Sequence, residues 1–208
     1  MKLYTYFRSS AAYRVRIALN LKGVAYEAVS VNLLKGEQRQ EGYRAVNPQG
    51  RVPSLDLGGA TLIQSPAILE YLDEVYPEPP LLPLGAAHRA KVRAVASLIA
   101  CDIHPLNNSG TLAYLKNRLG HDQAAADEWY AHWVREGFDA IEALVEPGPF
   151  AFGSRVTLAD VYLVPQVFNA RRFNIPLDAF PKIAAIDAAC ATLKAFQDAA
   201  PARQPDAA

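Results

Sequence analysis

Two pairs of residues in this chain stand where a helix begins, and both are placed to hold an anion. The first is Ser9-Ser10, preceded by Arg8. The first backbone N–H groups of a helix lack intrahelical partners, and the aligned peptide dipoles leave partial positive charge there. A carboxylate, phosphate or thiolate is therefore stabilised at such a start. Serine hydroxyls and the Arg8 guanidinium add to that field. The second pair is Gln64-Ser65, with Ser65 as the expected cap and Pro66 at the first helical position. Serine is also an ordinary helix cap, so for either start taken singly a purely structural reading competes with the functional one. Two such starts in one small domain, with Val52-Pro53 between them, carry more weight than either alone.

The elements that position these residues follow from the flanking sequence. Lys2-Leu3-Tyr4-Thr5-Tyr6 is a short run of β-formers, and the helix formers after Ser10 stop at Lys22-Gly23. Residues 24–33 read as a second strand, parallel to the first after a helical crossover. Lys35-Gly36-Glu37 opens a polar segment that passes through a weak helix to Asn47-Pro48-Gln49-Gly50. Residues 51–57 form a third strand, Gly58-Gly59 a tight turn and residues 60–63 a fourth strand, before the helix at Ser65. This order predicts a thioredoxin-like domain in which the Val52-Pro53 bond is cis and the Val52 backbone is offered to an extended ligand.

Pro77, Pro79, Pro80 and Pro83 mark a linker. The boundary is expected near residue 84, with a thioredoxin-like domain over 1–84 and an all-helical bundle over 85–208. Within the bundle a helix is expected over about 88–119 and another over about 122–145. Thr157-Leu158-Ala159-Asp160 has capping-box spacing before a helix toward Arg172 that Pro165 bends. A final helix over 182–199 follows Phe180-Pro181, and residues 201–208 are expected to fray.

A chain of 208 residues, 51% of them hydrophobic, has material for two modest cores. The formal net charge of zero offers no electrostatic footprint for nucleic acid or an acidic membrane surface, which leaves small molecules or protein partners. Cys101 and Cys190 lack the spacing of a zinc or redox motif and read as reduced helix residues. His88, His121 and His132 are scattered, so no metal site is expected. Neither a leader nor a membrane-spanning apolar run is evident, and the cytoplasm is the expected compartment.

The segment Ser9-Ser10-Ala11-Ala12-Tyr13-Arg14-Val15-Arg16-Ile17-Ala18-Leu19 resembles the Ser-Ser-Cys-x-x-Arg-Val-Arg-Ile-Ala-Leu signature of zeta-class glutathione transferases. That is the family of maleylacetoacetate and maleylpyruvate isomerases. Val31-Asn32-Leu33-Leu34, Asn47-Pro48-Gln49-Gly50-Arg51-Val52-Pro53, Gln64-Ser65-Pro66-Ala67-Ile68, Asn169-Ala170-Arg171-Arg172-Phe173 and Gln204-Pro205-Asp206 are similar to further family blocks. The resemblance implies that the first domain binds glutathione. Ser9 would donate to the sulfur with Ser10 beside it, Gln49 and the Val52 backbone would hold the middle of the tripeptide, and Gln64 with Ser65 its γ-glutamyl end. Lys35 would be a further contact.

His104 and Asn108 would line the glutathione and substrate cleft, against the competing reading of His104 as a locally bonded histidine beside Pro105. Arg8 and Arg172 would grip a substrate diacid, because a planar guanidinium binds a carboxylate at two points. Arg171 reads as a surface charge. Arg14 and Arg16 read as structural residues facing the other domain or a dimer partner. The family cysteine is Ala11 here, so the sulfur chemistry must belong to glutathione.

The implied reaction is cis-trans isomerisation of a maleyl keto acid to its fumaryl isomer by reversible thiolate addition, with a lean toward maleylpyruvate from the resemblance to short bacterial-type chains. One alternative is a glutathione transferase that conjugates electrophilic or halogenated small acids and consumes the thiol. Another is a non-catalytic binding protein, against which the joint retention of Ser9, Gln49, Gln64, Ser65 and Arg172 argues. The family also implies a homodimer.

Overall fold

The computed structural model describes residues 1–207, which form two compact units. The first holds residues 1–80 together with the chain from Ala191 onward, and the second holds Leu81–Cys190. The division at residue 84 thus differs from the structure chiefly at the C-terminal stretch, which packs in the first unit.

In the first unit, β1 (Lys2–Thr5) leads into α1 (Ser10–Leu21), and β2 (Glu27–Ser30) returns parallel to β1, with Lys2 opposite Glu27 and Thr5 opposite Ser30. The strand expected over 24–33 is shorter because β1 offers only these four residues to pair with. A 3-10 turn (Glu37–Arg39) and α2 (Glu41–Val46) lead to β3 (Ser54–Asp56), antiparallel to β1, and β4 (Thr61–Ile63), antiparallel to β3. The sheet order is β2-β1-β3-β4. At the hairpin, Asp56 Oδ1 accepts from the Gly58 N–H at 2.8 Å, and Gly58 takes φ 89°, a conformation open to glycine. Next comes α3 (Ser65–Val75).

Every residue from Ser10 to Leu19 of α1 is buried, with α3 and α9 (Lys194–Ala199) packed against the helix. Arg14 and Arg16 are both buried, and Arg16 turns into the first unit, where an orientation toward the other domain or a dimer partner was expected. Arg16 donates from Nε to the Ala199 carbonyl (3.0 Å), from Nη1 to Thr5 Oγ1 (3.0 Å) and from Nη2 to the Phe7 carbonyl (3.1 Å). Burial lowers its pKa to about 10, which still leaves the guanidinium charged at neutral pH.

The single helix expected over 182–199 is two, α8 (Pro181–Ala191) and α9, because Leu193 turns extended (φ −86°, ψ 129°). Asn20 then reaches the Ala195 carbonyl from α1. Nor do the described residues of the tail, 201–207, fray, while Ala208 lies outside the described residues. Pro201–Arg203 form a 3-10 turn, and buried Gln204 donates to the carbonyls of Asp198 (2.9 Å) and Ala200 (3.1 Å).

The second unit runs α4 (Ala86–Ser97), a π-helical segment (Leu98–Ile103), α5 (Ser109–Asn117), α6 (Gln123–Leu144), α7 (Leu158–Arg172) and α8. The helix expected over 88–119 is broken for a local reason. The His104 N–H reaches back five residues to the Ile99 carbonyl, Pro105 has no N–H to continue the ladder, and Asn108 starts α5 by accepting from the Gly110 N–H at 2.9 Å.

Along α6, capped by Asp122 on the Ala125 N–H, the residues Ala126, Tyr130, Val134, Phe138 and Ile141 make one buried face. A Cβ at Gly137 would lie 2.2 Å from Ile103 Cδ1, so glycine there lets the π segment close on α6. The capping box at Thr157 forms as expected. Buried Asp160 accepts from the Thr157 N–H, the Thr157 hydroxyl and the Ala151 N–H within 2.9 Å. Among the described residues no helix is long and apolar enough to cross a membrane.

Candidate functional site

Ser9 sits at the β1–α1 junction with extended backbone (φ −71°, ψ 111°), and its Oγ accepts from the Ala12 N–H at 3.2 Å. The structural and functional readings of this serine are compatible. Capping uses a lone pair of the oxygen and leaves the hydroxyl proton to donate elsewhere. Ser9 is half-buried, Ser10 is buried in the first turn of α1, and Arg8 is exposed with its guanidinium 5.0 Å from the Phe7 ring. Tyr6 and Tyr13, the other hydroxyls near by in sequence, are buried. Ser9 is the hydroxyl of this group that a ligand at the helix start can reach.

The second start is built from three loops. The Val52–Pro53 bond is cis, as expected. Asn47 is buried and shapes the turn that presents Gln49: its Oδ1 accepts from the Gln49 N–H (2.9 Å), and its Nδ2 donates to the Arg51 carbonyl (2.7 Å). Gly50 closes that turn at φ 63°, where a Cβ would stand 2.8 Å from the Gln38 carbonyl oxygen.

At α3 the cap is Gln64, where Ser65 was expected, because Ser65 already has helical backbone. Gln64 takes φ 70° and ψ 117°, outside the regions open to side chains, and its Nε2 donates to Gln49 Oε1 at 2.6 Å. Such a backbone costs about 1–3 kcal/mol and concentrates at sites where a ligand must be met.

Ser65 Oγ accepts from Arg14 Nη1 at 3.3 Å, both residues being buried. A guanidinium therefore stands behind this helix start and adds a full charge to the dipole. Sequence reasoning missed Arg14 in this role. The available signal was a charged side chain set, like Arg16, in a mainly apolar helix. Lys35 lies exposed in the loop after β2, its N–H on Asn32 Oδ1.

The remaining candidates belong to the second unit. Arg172, exposed at the end of α7, has its guanidinium 5.0 Å from the Phe173 ring, which stacks on Tyr130 at 3.8 Å. Burial pushes the Tyr130 hydroxyl up to about 12, against the opposing pull of Arg172. Arg171 forms an ion pair with Asp187, so it is anchored and not simply a solvated charge. His104 lies in the turn after the π segment, and Asn108 is the cap of α5. The structure thus joins Gln49 to Gln64 and Ser65 to Arg14 in the first unit, and places His104, Asn108 and Arg172 in the second.

Residues 3–80 match the family model described as glutathione S-transferase, N-terminal domain, and residues 123–195 match the one for the C-terminal domain. The chain is 54% identical to a maleylpyruvate isomerase of Ralstonia sp. over all of both chains. It is 52% identical to a maleylacetoacetate isomerase of Pseudomonas aeruginosa, covering 99% of this chain and 98% of that one. Among solved structures it superposes with a TM-score of 0.98, at 53% identity over the whole of both chains, on the holo structure of a maleyl pyruvate isomerase described as a bacterial zeta-class glutathione S-transferase. A maleylacetoacetate isomerase from Anaeromyxobacter dehalogenans, with bound dicarboxyethyl glutathione and citrate in its active site, matches at TM-score 0.89 and 44% identity, covering 100% of this chain and 97% of that one.

Proposed function

This chain belongs to the glutathione transferase family, in its zeta class, and from that membership we propose that it is a glutathione-dependent cis-trans isomerase converting a maleyl keto acid to its fumaryl isomer. The donor set fits the tripeptide. A hydroxyl at one helix start suits a thiolate, and a hydroxyl backed by a guanidinium at the other suits a carboxylate. The observation that carries the reading is the Ser9 oxygen, which caps α1 through a lone pair and keeps its proton to donate.

The chemistry glutathione supplies when bound is reversible thiolate addition to the maleyl double bond, which leaves a single bond free to turn before the bond to sulfur breaks again. Ser9 holds the sulfur as thiolate by donating its hydroxyl proton, with the N-terminus of α1 adding positive field and Ser10 flanking it. Gln49 and the Val52 backbone hold the middle of the peptide. Gln64 and Ser65, with Arg14 behind, hold its γ-glutamyl end, and Lys35, His104 and Asn108 are further contacts. Arg8 and Arg172 orient the substrate carboxylates.

The dicarboxyethyl glutathione bound by the Anaeromyxobacter relative supports this reading, since it is a thioether between glutathione and a two-carboxylate unit. Malonate bound with glutathione in a Methylobacterium relative supports a carboxylate subsite. We propose further that the protein is a cytoplasmic homodimer.

The test is a rate assay with maleylpyruvate and maleylacetoacetate in parallel, with and without glutathione, counting free thiol before and after turnover. Fumaryl product with thiol unchanged is expected, and the faster substrate identifies the keto-acid arm. Stoichiometric loss of thiol would move the protein to the conjugating class.

A further inference from the structure

The short junction between β1 and α1 carries Arg8 and Ser9, and Ser9 is tied locally: its N–H reaches the Tyr6 carbonyl at 2.9 Å, its carbonyl accepts from the Tyr13 N–H at 2.8 Å and its Oγ from the Ala12 N–H at 3.2 Å. The Phe7 peptide, just ahead of Arg8, is anchored from farther away. The Phe7 N–H donates to Asp206 Oδ2 at 3.0 Å, across 199 positions of sequence. The Phe7 carbonyl accepts from Arg16 Nη2 at 3.1 Å, and the Tyr6 carbonyl from Arg16 Nη1 at 3.4 Å. Both polar groups of Phe7 are thus held, one by the tail and the other by a guanidinium whose Nε is itself fixed on the Ala199 carbonyl of the tail. The same Asp206 oxygen accepts from Ser30 Oγ at 3.0 Å, which ties the strap to the end of β2. Buried Gln204 locks the approach by donating to the carbonyls of Asp198 and Ala200.

We propose that Asp206 is a positioning residue for the sulfur site. The C-terminal strap clamps the Phe7 peptide and so sets the direction in which the Ser9 hydroxyl donates. Neither Asp206 nor Arg16 need touch glutathione for this. They act through two consecutive peptide groups, Tyr6–Phe7 and Phe7–Arg8, the second of which ends one residue before Ser9. The proposal rests on the reading that Ser9 donates to the glutathione sulfur. A donor displaced by about 1 Å can cost on the order of 100-fold in rate, so a loose junction is costly even in a fully folded protein.

The test titrates the thiol of bound glutathione by ultraviolet thiolate absorbance, and measures kcat, for the wild type, D206A and D206N, each first shown folded by circular dichroism. Asp198→Asn serves as a tail control, since it removes only an exposed ion pair with Lys194. D206A is expected to raise the bound-thiol pKa by about one unit and lower kcat about tenfold at neutral pH. D206N, whose amide oxygen can accept from the Phe7 N–H in the same place, stays within about twofold of wild type, as does D198N. A D206A protein that titrates like wild type overturns the proposal, as does a D206N protein as impaired as D206A. If the wild type itself leaves glutathione at the pKa of the free thiol, the reading of Ser9 fails and the proposal falls with it.

Discussion

Replacing Ser9 by alanine removes two interactions whose magnitudes can be separated. The first is the cap: the Ala12 N–H loses its acceptor at 3.2 Å, a cost of about 1 kcal/mol in stability. The second is the hydrogen bond to the glutathione sulfur. A bond to a charged group contributes about 1.5–3 kcal/mol, and at about 1.4 kcal/mol per pKa unit its loss raises the bound thiol by roughly one to two units. The dipole of α1 persists in the variant and keeps its smaller share of about 0.3–1 kcal/mol.

The sign follows from which form the bond favours. The hydroxyl stabilises the thiolate over the thiol, so its removal moves the rise of the pH–rate profile to higher pH by the same shift. At neutral pH the rate should fall about 10- to 100-fold, and it should recover as the pH is raised. Ser9→Thr, which retains both the cap and the donor, should keep most of the activity. Thiolate absorbance of bound glutathione and the pH dependence of kcat are the two readouts. A Ser9→Ala protein whose bound thiol titrates as in wild type, or whose deficit is the same at every pH, would refute the assignment of Ser9.

Arg172→Ala should raise KM for the maleyl diacid about tenfold or more, the loss of one charge-assisted contact, while leaving glutathione affinity in place. Equal loss of both would contradict the assignment to a substrate carboxylate. Asp160→Ala strands the Ala151 and Thr157 N–H groups and the Thr157 hydroxyl, and should cost about 3 kcal/mol or more in urea denaturation. Burial raises the Asp160 carboxyl above its ordinary 3.8, although the bonds from Ala151 and Thr157 oppose this. The folded state thus holds the proton more tightly than the unfolded chain. This group's contribution is full below 3.8 and is lost as pH rises through the raised value, a slope that Asp160→Asn should abolish. A thiol-alkylating reagent should label Cys101, which is exposed, and leave Cys190 unlabelled until the protein unfolds, because burial holds that thiol neutral and out of reach.

The sequence by itself determined the features that depend on local chemistry. β-formers followed by serines and helix formers yield a strand that delivers Ser9 to a helix start, and the order of strands and helices to residue 75 follows from runs and turns of the same local kind. Thr157 was legible as a cap because a cap bonds within three residues of itself. Where the signal was local but finely balanced, it was misread: Pro105 interrupts what looked like one long helix, and Leu193 divides another.

Only the tertiary structure decided which distant groups stand behind the site. Arg14 faces Ser65 across 51 positions, Asp206 reaches Phe7 across 199, and the Gln64 amide meets Gln49 across 15. No periodicity encodes such pairings. Burying a charge or a polar group is costly unless its partner is supplied, and the partner is supplied by how the chain folds back on itself. The same physics made a tail of ordinary polar composition, which read as frayed, into an ordered strap over the junction that carries Ser9.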